Sequence, residues 1–335
     1  MKYVVNVSGG LTSFEALRRT IERYGKENTH PVFADTLAED ADLYRFLADQ
    51  ERYFCMTFHR AVDGRTPWQV MKDEGYITMH YPGGTVAPCS RILKREIIDS
   101  QISALYKPGE YTRVFGYEWS EIDRMEGLRE SIYPQPVWFP LCEPPYIDKC
   151  HISTFLESIG IAVPQMYKDG FEHNNCAGEC VKAGQAHYAN LFFTRSDRYM
   201  HAEEQEEELR QYLGKDISIL KDRRGGVTKP MTLRAFRLRL ESGDTDYDKN
   251  DWGGCGCFAP IAQERMGGML LITDVKRPPR KVRSKHKRRE LEQGRDQAWL
   301  TNKLHPLQNV TTDLVQADLF AHDDEETCES GYCMV

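Results

Sequence analysis

The amino-terminal third of the chain alternates short apolar runs with stretches of helical periodicity. Residues 4–7 form a β-branched run that reads as a buried strand. A turn of small residues follows, Ser8-Gly9-Gly10-Leu11-Thr12-Ser13. Residues 14–24 then place Phe14, Leu17 and Ile21 on one helical face. Residues 31–34 read as a second strand ended by Asp35-Thr36, and Leu43, Phe46 and Leu47 mark a second helix. Residues 53–58, 112–116 and 137–141 give a third, fourth and fifth strand. Strands alternating with helices predict an α/β fold with a mostly parallel sheet. Ligands of such sheets bind at the carboxyl ends of the strands, where the Ser-Gly-Gly turn, Asp35 and Gly116 fall.

The character changes near residue 164. His173-Asn174-Asn175-Cys176 opens a polar, cysteine-bearing segment. Residues 201–212 are acidic and helical in pattern, and residues 232–240 form a basic amphipathic helix. Asn250-Asp251-Trp252-Gly253-Gly254-Cys255-Gly256-Cys257 is a glycine-rich loop, and an acidic tail begins near Asp313. The organisation expected is an α/β domain over residues 1–165 and a cysteine-rich, mostly helical region over 166–275. Residues 276–335 hold the basic segment and the tail.

With 335 residues the chain has ample length for a sizeable core. The 44 Lys and Arg against 51 Asp and Glu give a net charge of −7, so a global cationic field for nucleic acid is absent. No apolar run approaches the ~20 residues of a membrane span. The start of the chain lacks the pattern of a signal peptide. These features predict a cytoplasmic protein without a membrane partner. Ten cysteines in a reducing compartment then point to metal or redox chemistry rather than to disulfides.

A strand, a glycine-rich turn bearing hydroxyls, and a helix together make an anion site. Backbone N–H groups and the helix N-terminus favour negative charge, and Ser8, Thr12 and Ser13 add donors. The competing reading of these six residues is an ordinary strand-to-helix turn with a hydroxyl cap.

Residues 7–13, Val-Ser-Gly-Gly-Leu-Thr-Ser, resemble the PP-loop Ser-Gly-Gly-x-Asp-Ser of the adenine nucleotide alpha hydrolase superfamily. That superfamily includes ATP pyrophosphatases and phosphoadenosine phosphosulfate (PAPS) reductases. Phe33-Ala34-Asp35-Thr36 with Glu39-Asp40 is similar to its second-strand segment, and Cys89-Ser90-Arg91-Ile92-Leu93-Lys94 to its cysteine-to-lysine segment. Residues 115–121, with Arg124, resemble its fourth-strand motif. Residues 173–184 resemble the cysteine segment of bacterial and phage PAPS-reductase-like proteins. The likeness spans roughly residues 3–260 and implies a Rossmann-like, HUP-type sheet. Two positions depart from it. Thr12 stands where the loop usually carries Asp, and Glu118 and Glu121 occupy a region where PAPS reductases carry arginines. Carboxylates there suit Mg²⁺, ribose hydroxyls or an adenine amino group better than a sulfate dianion.

The resemblance implies an enzyme that binds ATP or a related adenine nucleotide with Mg²⁺. Ser8, Gly9, Gly10, Thr12 and Ser13 would cradle phosphates, and Asp35 or Glu39 would help hold Mg²⁺. Lys94 and Arg124 would offset developing charge, with Asp35 also in the catalytic set. Gly116, Glu118 and Glu121 would complete the nucleotide site. Adenylylation of a substrate oxygen with pyrophosphate release, possible prelude to sulfur transfer, is the expected reaction. The alternatives are a PAPS-type reductase and a partner subunit that binds without catalysis.

Cys176-x₃-Cys180 and Cys255-x-Cys257 are two tight pairs, and four thiolates can hold an iron–sulfur cluster or zinc. The resemblance favours [4Fe-4S], with Zn²⁺ the alternative and Cys89 a reserve ligand. Buried free thiols are the simpler reading. Cys328 and Cys333 lie in the acidic tail, where a mobile nucleophile competes with an inert end. His173 and His187 are candidate donors to the ligand set, with a purely structural role the competing reading, and Arg223 and Arg224 form a small basic turn. Nine Lys and Arg, at Lys276, Arg277, Arg280, Lys281, Arg283, Lys285, Lys287, Arg288 and Arg289, could track a nucleic-acid backbone or form a solvated face.

Overall fold

The computed structural model describes residues 1–81 and 84–254. Its centre is a five-stranded, all-parallel sheet. The strands are β1 (Lys2–Asn6), β2 (Thr29–Asp35), β3 (His59–Val62), β6 (Tyr111–Val114) and β7 (Val137–Trp138), in the order β3-β2-β1-β6-β7. This is an α/β fold of Rossmann-like form. The order reverses beside β1, which makes its carboxyl end the switch point of the sheet. Register is set by side-chain alternation. Val5, Phe33 and Val114 face one core, and Val4, Val32, Ala34 and Tyr111 face the other.

On the first face lie α1 (Leu11–Tyr24), α2 (Ala41–Phe54) and α6 (Lys149–Ser158). Phe14 of α1 meets Phe54 and Phe46 of α2 at ring separations of 5.4 and 6.3 Å, tying both helices over β1 and β2. The second face is covered by a π-helical turn, Ser90–Glu96, that runs into α4 (Ile97–Leu105), whose Ile98 and Ile102 are buried.

Several boundaries differ from the sequence pattern, the first two strands among them, which run Lys2–Asn6 and Thr29–Asp35. The third strand is His59–Val62, not residues 53–58. Leu43, Phe46, Leu47, Gln50 and Phe54 keep helical spacing, so Tyr53 and Phe54 complete α2 and Cys55 ends it in the left-handed conformation. The fifth strand stops at Trp138, because Pro140 starts a 3₁₀ turn over Pro140–Cys142. Helix α1 begins at Leu11, three residues before its apolar face, and the fourth strand ends at Val114. The short helix α3 (Pro67–Glu74) and the hairpin β4 (Met79–Tyr81) and β5 (Gly84–Val86) lay outside the pattern altogether.

A second apolar cluster is built from α8 (Gln185–Thr194), α9 (Ser196–Leu213) and α10 (Leu233–Glu241), with the two-stranded sheet β8 (Leu220–Asp222) and β9 (Lys229–Met231). Tyr188, Tyr199, Leu191, Leu233 and Phe236 are its fully buried centre. Trp68 and Met71 of α3 belong to this cluster, so the amino-terminal third of the chain contributes to it. Buried Glu206 of α9 accepts from the backbone N–H groups of Ile219 (2.7 Å) and Leu233 (2.6 Å), which fastens β8 and α10 to the helix. The cysteine segment lies between the two clusters.

Close approach of the sheet to α1 rests on Gly116. A Cβ there would stand 2.6 Å from the Thr12 carbonyl oxygen and 2.9 Å from the Ser13 Cα. Gly116→Ala is therefore expected to push α1 off the end of β6 and cost about 1–3 kcal/mol, as overpacking against backbone does. Urea unfolding with the midpoint unchanged would refute that contact.

Candidate active site at the carboxyl edge of the sheet

The turn after β1 sits at the switch point. Gly9 has φ +76°, and a Cβ on it would lie 2.6 Å from the Leu43 Cγ, so the position demands glycine twice over. Gly10 precedes α1 and provides no side-chain cap, and the first turn of α1 carries no acidic residue. The helix start thus keeps its partial positive charge. Ser13 is used inside the turn: its hydroxyl donates to the Gly10 carbonyl (2.8 Å) and accepts from the Ser8 N–H (3.2 Å). Ser8 is exposed and Thr12 half-buried, so these two hydroxyls are the accessible ones.

Tyr167 and Asn174 pin the turn from the far side of the chain. The Tyr167 hydroxyl accepts from the Leu11 N–H (3.2 Å), and the Asn174 side-chain amide donates to the Gly9 carbonyl (2.8 Å). Neither role was visible in sequence. Tyr167 reads as core, and 156 residues separate it from its partner.

Asp35 and Glu39 follow β2. The Asp35 Oδ1 accepts from the Leu37 N–H (2.9 Å) and the Tyr44 hydroxyl (2.6 Å), and this bond together with burial raises the Tyr44 pKa. Glu39 is buried and fully engaged. Its Oε1 accepts from the Thr36 hydroxyl (2.9 Å) and faces the Lys94 Nζ (3.6 Å), and its Oε2 accepts from the Cys176 N–H. The Lys94 Nζ also lies 3.9 Å from the Cys176 Sγ. The structure thereby brings together Lys94, Glu39 and Cys176 from three distant segments.

Cys176 and Ala177 both have positive φ, 49° and 47°, a conformation that L residues adopt at a cost of about 1–2 kcal/mol each. The kink turns the segment so that Cys176 and Cys180 line one cavity with Cys89, Lys94, Trp68 and Val181. The cavity is small, about 30 Å³, and Thr36 and Ala38 after β2 also line it. Among the described residues no group of three or more His, Cys, Asp or Glu side chains is arranged to hold a metal ion. Cys255 and Cys257 lie outside the described residues, as do the basic segment from Lys276 to Arg289 and Cys328 and Cys333. The approach to the first pair is described: Gly254 N–H donates to the Lys182 carbonyl (3.1 Å), Gly184 N–H to that of Trp252 (3.2 Å), and Ala183 bridges Gly253.

The residues after β6 form a separate charged group. Arg124 pairs with Glu121 and stacks 4.7 Å from the centre of the Tyr117 ring. Glu118 faces Lys149 of α6 at 3.5 Å, and burial raises its pKa against the opposing pull of that lysine. Arg124 and Lys149 both act on His173, whose pKa burial and these cations lower to about 3. Each predicted carboxylate here has a basic partner within the protein.

No family model matches the chain, and a search of curated proteins finds no relative. No helix of the described residues is long and apolar enough to cross a membrane.

The buried His187 lends itself to a pH test. It donates from Nε2 to the Gly178 carbonyl (2.7 Å), and burial lowers its pKa to about 4. The unfolded chain, with an ordinary histidine near 6.5, binds this proton first. Stability contributed by neutral His187 is therefore complete above about 6.5 and lost as pH falls toward 4, by at most about 1.4 kcal/mol per pH unit. His187→Gln keeps a donor for Gly178 without the titration. Its urea midpoint is expected to fall less steeply between pH 6.5 and 4.5 than that of the parent; equal slopes would contradict the assignment.

Proposed function

We propose that the chain is an adenine-nucleotide-binding enzyme of the PP-loop type, related to ATP pyrophosphatases and PAPS reductases. The observation that carries this reading is the convergence, at the switch point of a parallel sheet, of a helix start whose N-cap residue, Gly10, has no side chain with Asp35 and the Lys94–Glu39–Cys176 assembly. A glycine turn against a helix N-terminus favours phosphate by its amides and by its field.

In this reading ATP lays its phosphates on Gly9 and Gly10, with Ser8 and Thr12 donating from their hydroxyls. Ser13 shapes the turn. A substrate oxygen attacks the α-phosphorus, the bond to the bridging oxygen breaks, and pyrophosphate leaves while the hydroxyl proton passes to solvent. Lys94, held in place by Glu39, offsets the charge that develops on the phosphate oxygens.

Mg²⁺ and a thiolate-bound metal centre would meet the donor set differently. Glu39 has both oxygens committed within the protein, whereas among the described residues the Asp35 Oδ2 accepts no hydrogen bond. Asp35 is thus the better carboxylate for Mg²⁺, which would neutralise phosphate charge. Cys176 and Cys180 on one cavity wall supply two thiolates for a [4Fe-4S] cluster or zinc, and Cys255 and Cys257 are the proposed remainder. Such a centre would supply structural, electrostatic or sulfur-handling chemistry beside the nucleotide.

The direct test is release of pyrophosphate from ATP, with sulfite release from PAPS as the competing outcome. Lys94→Ala is expected to lower pyrophosphate release about 100-fold, the loss typical of removing one charge-stabilising donor. Full activity in that variant, or sulfite as the product, would overturn the reading.

The metal centre has its own measurement. Anaerobically purified protein is expected to carry iron and absorb in the visible, and Cys176→Ser with Cys180→Ser to lose both. Bound zinc would remove the sulfur-transfer reading, and retained iron in the double variant would remove these two ligands.

A further inference from the structure

Helix α9 carries buried and exposed carboxylates, and the two kinds are treated differently. The buried ones are satisfied. Glu203 pairs with Arg234 (3.2 Å) and Arg237 (2.8 Å) of α10, and Glu206 accepts from two backbone N–H groups. The others, Asp197, Glu204, Glu207 and Glu208, line an open groove of about 630 Å³ together with Met200, which is 45% exposed. Among the described residues the Asp197 and Glu204 side chains make no hydrogen bond or ion pair. Glu208 meets Gln205 at 3.4 Å, and Glu207 meets Gln211 at 3.1 Å and Arg210 at 3.9 Å. Glu204 has like charges at both i+3 and i+4, an arrangement that weakens a helix unless cations cover it. Arg234, the arginine lining the groove, is already committed to Glu203.

The chain carries the complementary charge nearby. Residues 276–289 hold nine Lys and Arg and no Asp or Glu. The last described residue, Gly254, donates its N–H to the Lys182 carbonyl (3.1 Å). Three residues before Lys182, Glu179 pairs with Arg198 (3.3 Å) and His201 (2.7 Å) of α9, and His201 lines the groove. The described chain thus ends beside α9. Lys276 follows Gly254 by 22 residues, a reach of up to about 70 Å. The 18 residues of α9 span about 27 Å, so the whole groove lies within that reach. A segment tethered in this way meets its groove at an effective concentration of about millimolar, which makes weak surface ion pairs add up to occupancy.

We propose that the acidic groove of α9 is the docking surface for the chain's own basic segment, residues 276–289. The occupant is chosen by charge and by reach: the groove repels nucleic acid and attracts a polycation, and this polycation is attached. Docking covers the unpaired carboxylates and withholds the basic segment from other polyanions. It also sets the segment against His201, whose partner Glu179 lines the thiol cavity. This inference does not depend on the nucleotide reading.

The experiment uses the full-length chain and a zero-length carbodiimide, which joins a carboxylate to a lysine amine only where the two touch. Amide links from Lys276, Lys281, Lys285 or Lys287 to Glu204, Glu207 or Glu208 are expected by mass spectrometry at low salt. They should fall about tenfold in 1 M NaCl, where the screening length is about 3 Å. Yields should not change on dilution. The pairs Lys94–Glu39 (3.6 Å) and Lys149–Glu118 (3.5 Å) are the internal controls. In parallel, the triple variant Glu204→Gln, Glu207→Gln, Glu208→Gln, confirmed as folded by thermal unfolding, is expected to be cut by trypsin within residues 276–289 about tenfold faster than the parent.

Links from the basic lysines to the acidic tail beyond Asp313 in place of α9, or equal cleavage rates in parent and variant, would overturn the proposal. Links confined to a covalent dimer and lost on dilution would assign the groove to a second copy instead. Protection of the segment that arises only on adding duplex DNA would assign the segment to nucleic acid, and either result removes the intramolecular docking.

Discussion

One buried carboxylate holds the candidate site together. Glu39 takes the Thr36 hydroxyl from its own loop, faces the Lys94 ammonium from the π-helical turn, and accepts the Cys176 N–H from the cysteine segment. A charge taken out of water is tolerated only when paired and hydrogen-bonded, and removing one partner of such a group typically costs about 3–5 kcal/mol. The three segments are therefore not independent. Where Glu39 goes, Lys94 and Cys176 must follow, and their 3.9 Å separation is a consequence of that shared partner.

The turn after β1 obeys a similar logic on the backbone side. Gly9 and Gly116 let chain segments approach more closely than a Cβ allows, with Leu43 and the Thr12 carbonyl as the respective neighbours, and a Cβ on Gly10 would crowd the Tyr167 hydroxyl at 3.0 Å. Tyr167 and Asn174 then satisfy one amide and one carbonyl of the turn from a segment more than 150 residues away. The result is a rigid frame around a helix start with no cap of its own. A rigid frame of this kind is what a preorganised electrostatic site requires.

The two apolar clusters explain why distant segments meet here. The cysteine segment lies between the sheet and the helical cluster, with Met166, Phe171 and Val181 in the latter and Tyr167 packed against the former. Trp68 and Met71 extend the helical cluster back to α3. Burial on both sides clamps the kinked stretch at Cys176 and Ala177, whose left-handed backbone would not persist on local preference alone.

The sequence by itself determined the parallel α/β framework. Runs such as Val4-Val5 and Pro31-Val32-Phe33, bounded by turn residues, read as buried strands, and the face of Phe14, Leu17 and Ile21 as an amphipathic helix. It also placed the glycine turn, Asp35 and Gly116 at the carboxyl edge, since those positions follow from strand ends. Local pattern misjudged residues 53–58, where helical spacing ran on to Phe54 and overrode β propensity. Only the tertiary structure decided which side chains meet. That Ser13 closes the turn, that Tyr167 and Asn174 pin it, and that Glu39 joins Lys94 to Cys176 depend on contacts 55 to 165 residues apart, apart from Ser13. Hydrophobic periodicity carries no information about such pairs. They are fixed by where two cores, once packed, leave polar groups that must find one another.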